Sequence, residues 1–216
     1  MNETNTARET ILNRIRRSNA DLPTSDYASL ERAYQQTACM GREAVWKTFI
    51  ERLHEYDARV TAATPDTLPS ALAEVLLRNH QKSAVVADRF PQKLLPEGFR
   101  WQPEADATAE ELNLAEGAIC GCEVAIAHTG TIVIVGARRL TLLPDRLLCV
   151  VYDHQIVETV PEAFARLQPL AMEPLTFVSG PSATADIEMT RIRGVHGPRF
   201  LDVVFVSETW AQVCKK

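Results

Sequence analysis

The chain has 216 residues, 46% hydrophobic and 24% charged, with 9 Gly, 12 Pro and 5 Cys. This composition excludes collagen-like, low-complexity disordered and disulfide-dense chains. A net charge of −5 excludes the strongly basic surface of a typical nucleic-acid binder and makes an anionic membrane a poor partner.

Residues 6–18 place Ile11, Leu12 and Ile15 on one stripe among arginines, and residues 19–29, with Pro23 and several Ser, Asp and Thr, read as a connector. After Gly41, the positions Val45, Trp46, Phe49, Ile50, Leu53 and Tyr56 follow the i, i+3, i+4, i+7 spacing of an amphipathic helix. Residues 1–58 are therefore expected to be a helical N-terminal extension that packs its single apolar faces on another surface. From residue 59 the texture changes. Residues 60–64 and 83–87 read as strands, with a helix between them that Asp66 or Thr67 caps and that carries Pro69 in its first turn. Further strands are predicted at 131–135, 147–152, 175–179 and 201–206, and a helix at 156–167 with Pro161 tolerated near its start. Near-continuous apolar strands alternating with helices predict an α/β domain over 59–216, a mainly parallel sheet with helices on both faces.

Charge and thiols add two expectations. Residues 101–123 carry six carboxylates and no Lys or Arg, so this one segment sets the acidic balance; it reads as a solvated face or as a docking surface for a partner. The Cys count is odd and the first residues are polar rather than basic and then apolar, which predicts reduced thiols in a cytoplasmic protein. No apolar run approaches the roughly 20 residues that cross a bilayer.

Ligand crevices of such sheets lie outside the carboxyl ends of strands, which directs attention to loops. Gly180-Pro181-Ser182-Ala183-Thr184 can turn tightly and cap a following helix, whose free N–H groups would favour an anion. Asp186 and Glu188 share a face only if that segment is extended, in which case they are an acid–base pair; otherwise they serve in salt bridges or caps. His128-Thr129-Gly130-Thr131 offers two hydroxyls around a glycine that lets a ligand approach the backbone. Gly194-Val195-His196-Gly197-Pro198, with Arg191, Arg193 and Arg199 nearby, holds a histidine able to exchange protons near neutral pH or to contact an anion. Cys120-Gly121-Cys122 lacks the spacing of common zinc or iron–sulfur sites and reads as buried structural cysteine; no metal ligand set is assigned. No Walker A loop, dinucleotide fingerprint, serine-hydrolase elbow or zinc-protease motif occurs.

Taken together and in order, Gly121-Cys-Glu-Val-Ala-Ile-Ala-His-Thr-Gly-Thr131, Leu140-Thr-Leu-Leu-Pro-Asp145, Gly180-Pro-Ser-Ala-Thr-Ala-Asp-Ile-Glu188 and Gly194-Val-His-Gly-Pro198 resemble the LUD domain family and, within it, the lactate utilization protein C group. The resemblance implies a fold similar to the ribose-phosphate isomerase and CoA-transferase superfamily. It further implies a component of L-lactate oxidation to pyruvate that works with iron–sulfur partner proteins and holds no cluster or other cofactor itself. The motif positions carried over are Thr129, Gly130, Thr131, Gly180, Ser182, Thr184, Gly194 and Gly197 as ligand-binding residues, with His196, Asp186 and Glu188 as candidate catalytic residues. Where family members often place a carboxylate before Thr-Gly-Thr, this chain has His128. The alternatives are a non-catalytic assembly subunit and a stand-alone transferase or isomerase acting on a CoA ester or sugar phosphate.

Overall fold

The computed structural model describes residues 3–20, 29–136, 138–184, 192–194 and 197–209. The chain divides into two compact units, Met1–Tyr34 and Gln35–Lys216. The first contains helix α1 (Glu3–Ser18), whose Ile11 and Ile15 are exposed. Helix α2 (Arg42–Glu55) lies in the second unit, where Val45, Trp46, Phe49 and Leu53 enter the main core.

That unit is built on a six-stranded, all-parallel sheet. Its strands are β1 (Arg59–Ala63), β2 (Ser83–Val86), β3 (Arg100–Pro103), β4 (Ala118–Gly121), β7 (Arg146–Tyr152) and β12 (Phe200–Val206), in the order β1-β12-β7-β4-β2-β3. The expected α/β architecture is thus present, and helices cover both faces. On β12, Asp202 accepts bonds from Arg78 (2.9 Å) and Asn79 (2.9 Å) at the end of helix α3 (Leu68–Arg78), whereas Phe205 meets the Trp46 ring of α2 at 6.0 Å. An odd separation along a strand puts those two side chains on opposite faces, and with them the two helices. Leu72 and Leu76 of α3 are fully buried, each contributing roughly 1.5–3 kcal/mol of apolar transfer.

A second, four-stranded sheet lies in the same unit. It contains β5 (Val124–Ile126), β6 (Thr131–Val135), β8 (Ile156–Val157) and β9 (Leu175–Val178), ordered β8-β5-β6-β9, with β6 antiparallel to both neighbours. Alternation along the strands explains its place: Ala125, Ile132, Ile134 and Ile156 face the main core, and Val124, Ile126, Val133 and Val157 face a smaller core with Ala163 and Leu167 of helix α5 (Val160–Leu167). Residues 156 and 157 are therefore strand, not the start of the predicted helix. That helix begins later because Thr159 and Glu162 form a reciprocal capping box, with Pro161 in the first turn.

Helix α4 (Ala109–Leu114) holds part of the acidic segment. Its Glu111 closes another capping box with Thr108, and Glu116 accepts the backbone N–H groups of Lys82 (2.5 Å) and Ser83 (2.8 Å). Two of the six carboxylates thus have structural work, and these bonds hold both below the usual carboxylate range.

Candidate functional site

The antiparallel β6–β9 ladder pairs Ile132 with Val178, so Thr131 and Ser179, one step further along, stand side by side. The Thr131 hydroxyl lies 2.6 Å from that of Thr129 and 2.7 Å from that of Ser179. Thr131 is buried, while Thr129 and Ser179 are exposed. A hydroxyl donates one proton and accepts others, so this chain of three presents both donor and acceptor capacity to a ligand oxygen. The sequence reading identified Thr129 and Thr131 but missed Ser179, which only strand pairing brings in.

Gly130 and Gly180 anchor the two loops at one place. Both have left-handed backbones, φ +59 and φ +87; a Cβ on Gly130 would fall 2.7 Å from Cβ of Arg52, and one on Gly180 would fall 2.4 Å from Cβ of Tyr56. Each loop therefore abuts the C-terminal end of α2 with no room for a side chain.

Beyond Gly180 the chain forms an antiparallel hairpin of β10 (Ala183–Thr184) and β11 (Ile192–Arg193). The Ser182 N–H donates to the Pro198 carbonyl (2.8 Å), and the Gly194 N–H donates to the Ser182 carbonyl (2.8 Å). Gly197 lies beside Ser182, its missing Cβ 3.4 Å from that of Ser182. These contacts tie Ser182 to Gly194, Gly197 and Pro198, and next in the chain Arg199 Nε donates to Asp145 (2.9 Å). The structure also corrects the expected helix cap at Ser182, because the next two residues are strand. Asp186, Glu188 and His196 lie outside the described residues, and of Thr184 only the backbone position is described.

His128 stands next to a carboxylate after all. Its Nε2 is 3.5 Å from Oε1 of Glu158, and its backbone N–H donates to the Glu158 carbonyl (3.1 Å). The Glu158 side chain is buried and accepts bonds from the backbone N–H groups of Met40 (2.7 Å) and Cys39 (2.8 Å), the Gln35 amide (2.6 Å) and the Cys39 thiol (3.3 Å). Loss of water raises its pKa, but these donors, led by Met40 and Cys39, overcome that effect and hold it at about 2. A lone Glu after Ile-Val gives no signal of this role in the sequence.

Cys120 and Cys122 are buried, as their spacing predicts. Cys120 and Cys149 are register neighbours on β4 and β7, and both are buried, as is Cys122. Burial pushes the Cys122 thiol well up, and the hydrogen bond with Cys120 together with burial does the same to Cys149. Both are therefore neutral thiols rather than nucleophiles at neutral pH.

The family model for the LUD domain matches residues 1–206. A protein of Deinococcus radiodurans named lactate utilization protein C is 37% identical over 181 residues, covering 80% of this chain and 84% of that one. A Bacillus pumilus protein of the same name is 28% identical over 224 residues, covering 88% and 92%. The crystal structure of a DUF162 family protein from D. radiodurans superposes with a TM-score of 0.67 at 33% identity, covering 78% of this chain and all of the other. Among the described residues, no helix is long and apolar enough to cross a membrane. With its domain matched over almost its full length and its fold shared with a solved relative, the chain belongs to the LUD domain family.

Proposed function

We propose that the chain is a cytoplasmic component of lactate utilization that binds a small anion at the 129–131, 179–184 and 194–198 loops and works with iron–sulfur partner proteins in oxidising L-lactate to pyruvate. The names of its relatives support the pathway. The observation that carries the site is the hydroxyl chain Thr129–Thr131–Ser179, set against a hairpin fixed by backbone bonds through Ser182, Gly194 and Pro198. The hydroxyls would donate to carboxylate oxygens of the ligand, with Gly130 and Gly180 keeping the two loops seated together. His196 would exchange the hydroxyl proton released as the lactate C–O–H becomes a carbonyl, with Asp186 to orient it and Glu188 as a further candidate carboxylate. The oxidation releases two electrons and two protons; with the hydroxyl proton passing to His196, the partner proteins would take the two electrons together with the C–H hydrogen, as a hydride equivalent, and this chain would supply binding and proton handling.

The test is lactate-dependent dye reduction in extract of cells lacking the protein, with purified chain added back. Wild type is expected to restore the activity, and Thr131→Val or His196→Ala to leave it lower by about tenfold or more, the equivalent of one lost transition-state hydrogen bond. Equal restoration by all three would overturn the anion site and favour an assembly subunit. Lactate-independent turnover of a CoA ester or sugar phosphate by the chain alone would favour a transferase or isomerase.

A further inference from the structure

A different part of the molecule has the form of a ligand site with the opposite charge preference. Along one face of edge strand β3, from Phe99 through Trp101 to Pro103, and beside the end of β2 at Val86–Asp88, lies a cavity of about 640 Å³, within the size range of small-molecule sites. Its walls include Phe90, Phe99 and Trp101; the last two rings lie 5.8 Å apart. The Trp101 N–H is committed to the Pro96 carbonyl at 3.2 Å, so the indole offers its π surface rather than a donor. The charged residues on the lining are Asp88 and Glu97, and none of the described lining residues is basic.

Asp88 is fixed in place, because its Oδ1 accepts the Ala105 N–H at 3.1 Å. Buried Glu104 belongs to the same neighbourhood, and its pKa is raised first by burial and then by the charge of Asp88. The acidic segment identified in the sequence therefore begins at the edge of this cavity. Carboxylates and aromatic faces attract cations and offer nothing to an anion.

We propose that this cavity is a second ligand site, separate from the anion-binding loops, that takes a compact organic cation bearing N–H donors, with its charge on Asp88 and its body against Phe90, Phe99 and Trp101. The assignment does not depend on the lactate reading.

Calorimetric titration of the full chain with three probes of similar shape tests it: phenylguanidinium, neutral phenylurea and anionic benzoate. Saturable binding is expected for phenylguanidinium and about tenfold or weaker binding for the other two. Asp88→Asn preserves the acceptor for Ala105, so it should leave the thermal unfolding midpoint unchanged while weakening the cation by about tenfold. Phe99→Leu, a change at the wall, should weaken it independently. Absence of saturable cation binding, equal binding of phenylurea or benzoate, or full affinity in Asp88→Asn would each overturn the proposal.

Discussion

At Glu158, burial and hydrogen bonding oppose one another, and hydrogen bonding prevails. A carboxylate that keeps its charge inside the protein makes stability depend on pH, with a definite sign. Its folded pKa of about 2 lies below the ordinary 4.5, so the contribution is fully present above about pH 4.5 and is lost as pH falls through 2. Urea unfolding at pH 6 and pH 3 should show a larger loss for wild type than for Glu158→Gln, whose amide does not titrate; equal losses would show that the carboxylate does not carry this term. The same residue illustrates what sequence leaves hidden. Thr129, Gly130 and Gly180 announce themselves through turn chemistry, whereas Glu158, Asp88 and Ser179 gain their surroundings from segments far away in the chain.

Among the elements, the meeting of two glycine loops with the last turn of α2 separates two costs that usually travel together. Gly98 and Gly180 both have φ +87, but a Cβ on Gly98 would meet nothing within 4 Å, while one on Gly180 would collide with Tyr56. Gly98→Ala should cost about 1 kcal/mol from backbone conformation alone. Gly180→Ala should cost about 1–3 kcal/mol more through overpacking, read as a larger drop in urea midpoint; equal drops would mean that the loop gives way freely. Sequence patterning located α2, α3, β7 and β12 because their apolar residues follow helix or strand spacing over several turns or steps. It misplaced β6 and β9, since a continuous apolar run has the same appearance in a parallel sheet and an antiparallel one. It passed over β4 and β5 because Ala, Cys and Gly in residues 118–126 have little strand preference.

For the whole molecule, the division after Tyr34 assigns the main core entirely to residues beyond it. A chain of residues 35–216 should therefore unfold cooperatively, with a stability within about 1 kcal/mol of the full chain; a broad or markedly earlier urea transition would show that the first unit is needed for that core. The α/β class was legible because strands and helices alternate, whereas the burial of α2 in the main core was not, since an amphipathic helix does not state which surface covers it. The order of the parallel sheet also bears on how the protein is made. β1 has β12 as its neighbour in that sheet, so residues 59–63 leave the ribosome long before 200–206 exist to pair with them. At elongation speeds of 5–20 residues per second that wait lasts roughly 7–30 s. During it the growing chain carries β1 without its partner, and a product that stops before residue 200 is unable to join β1 to β7.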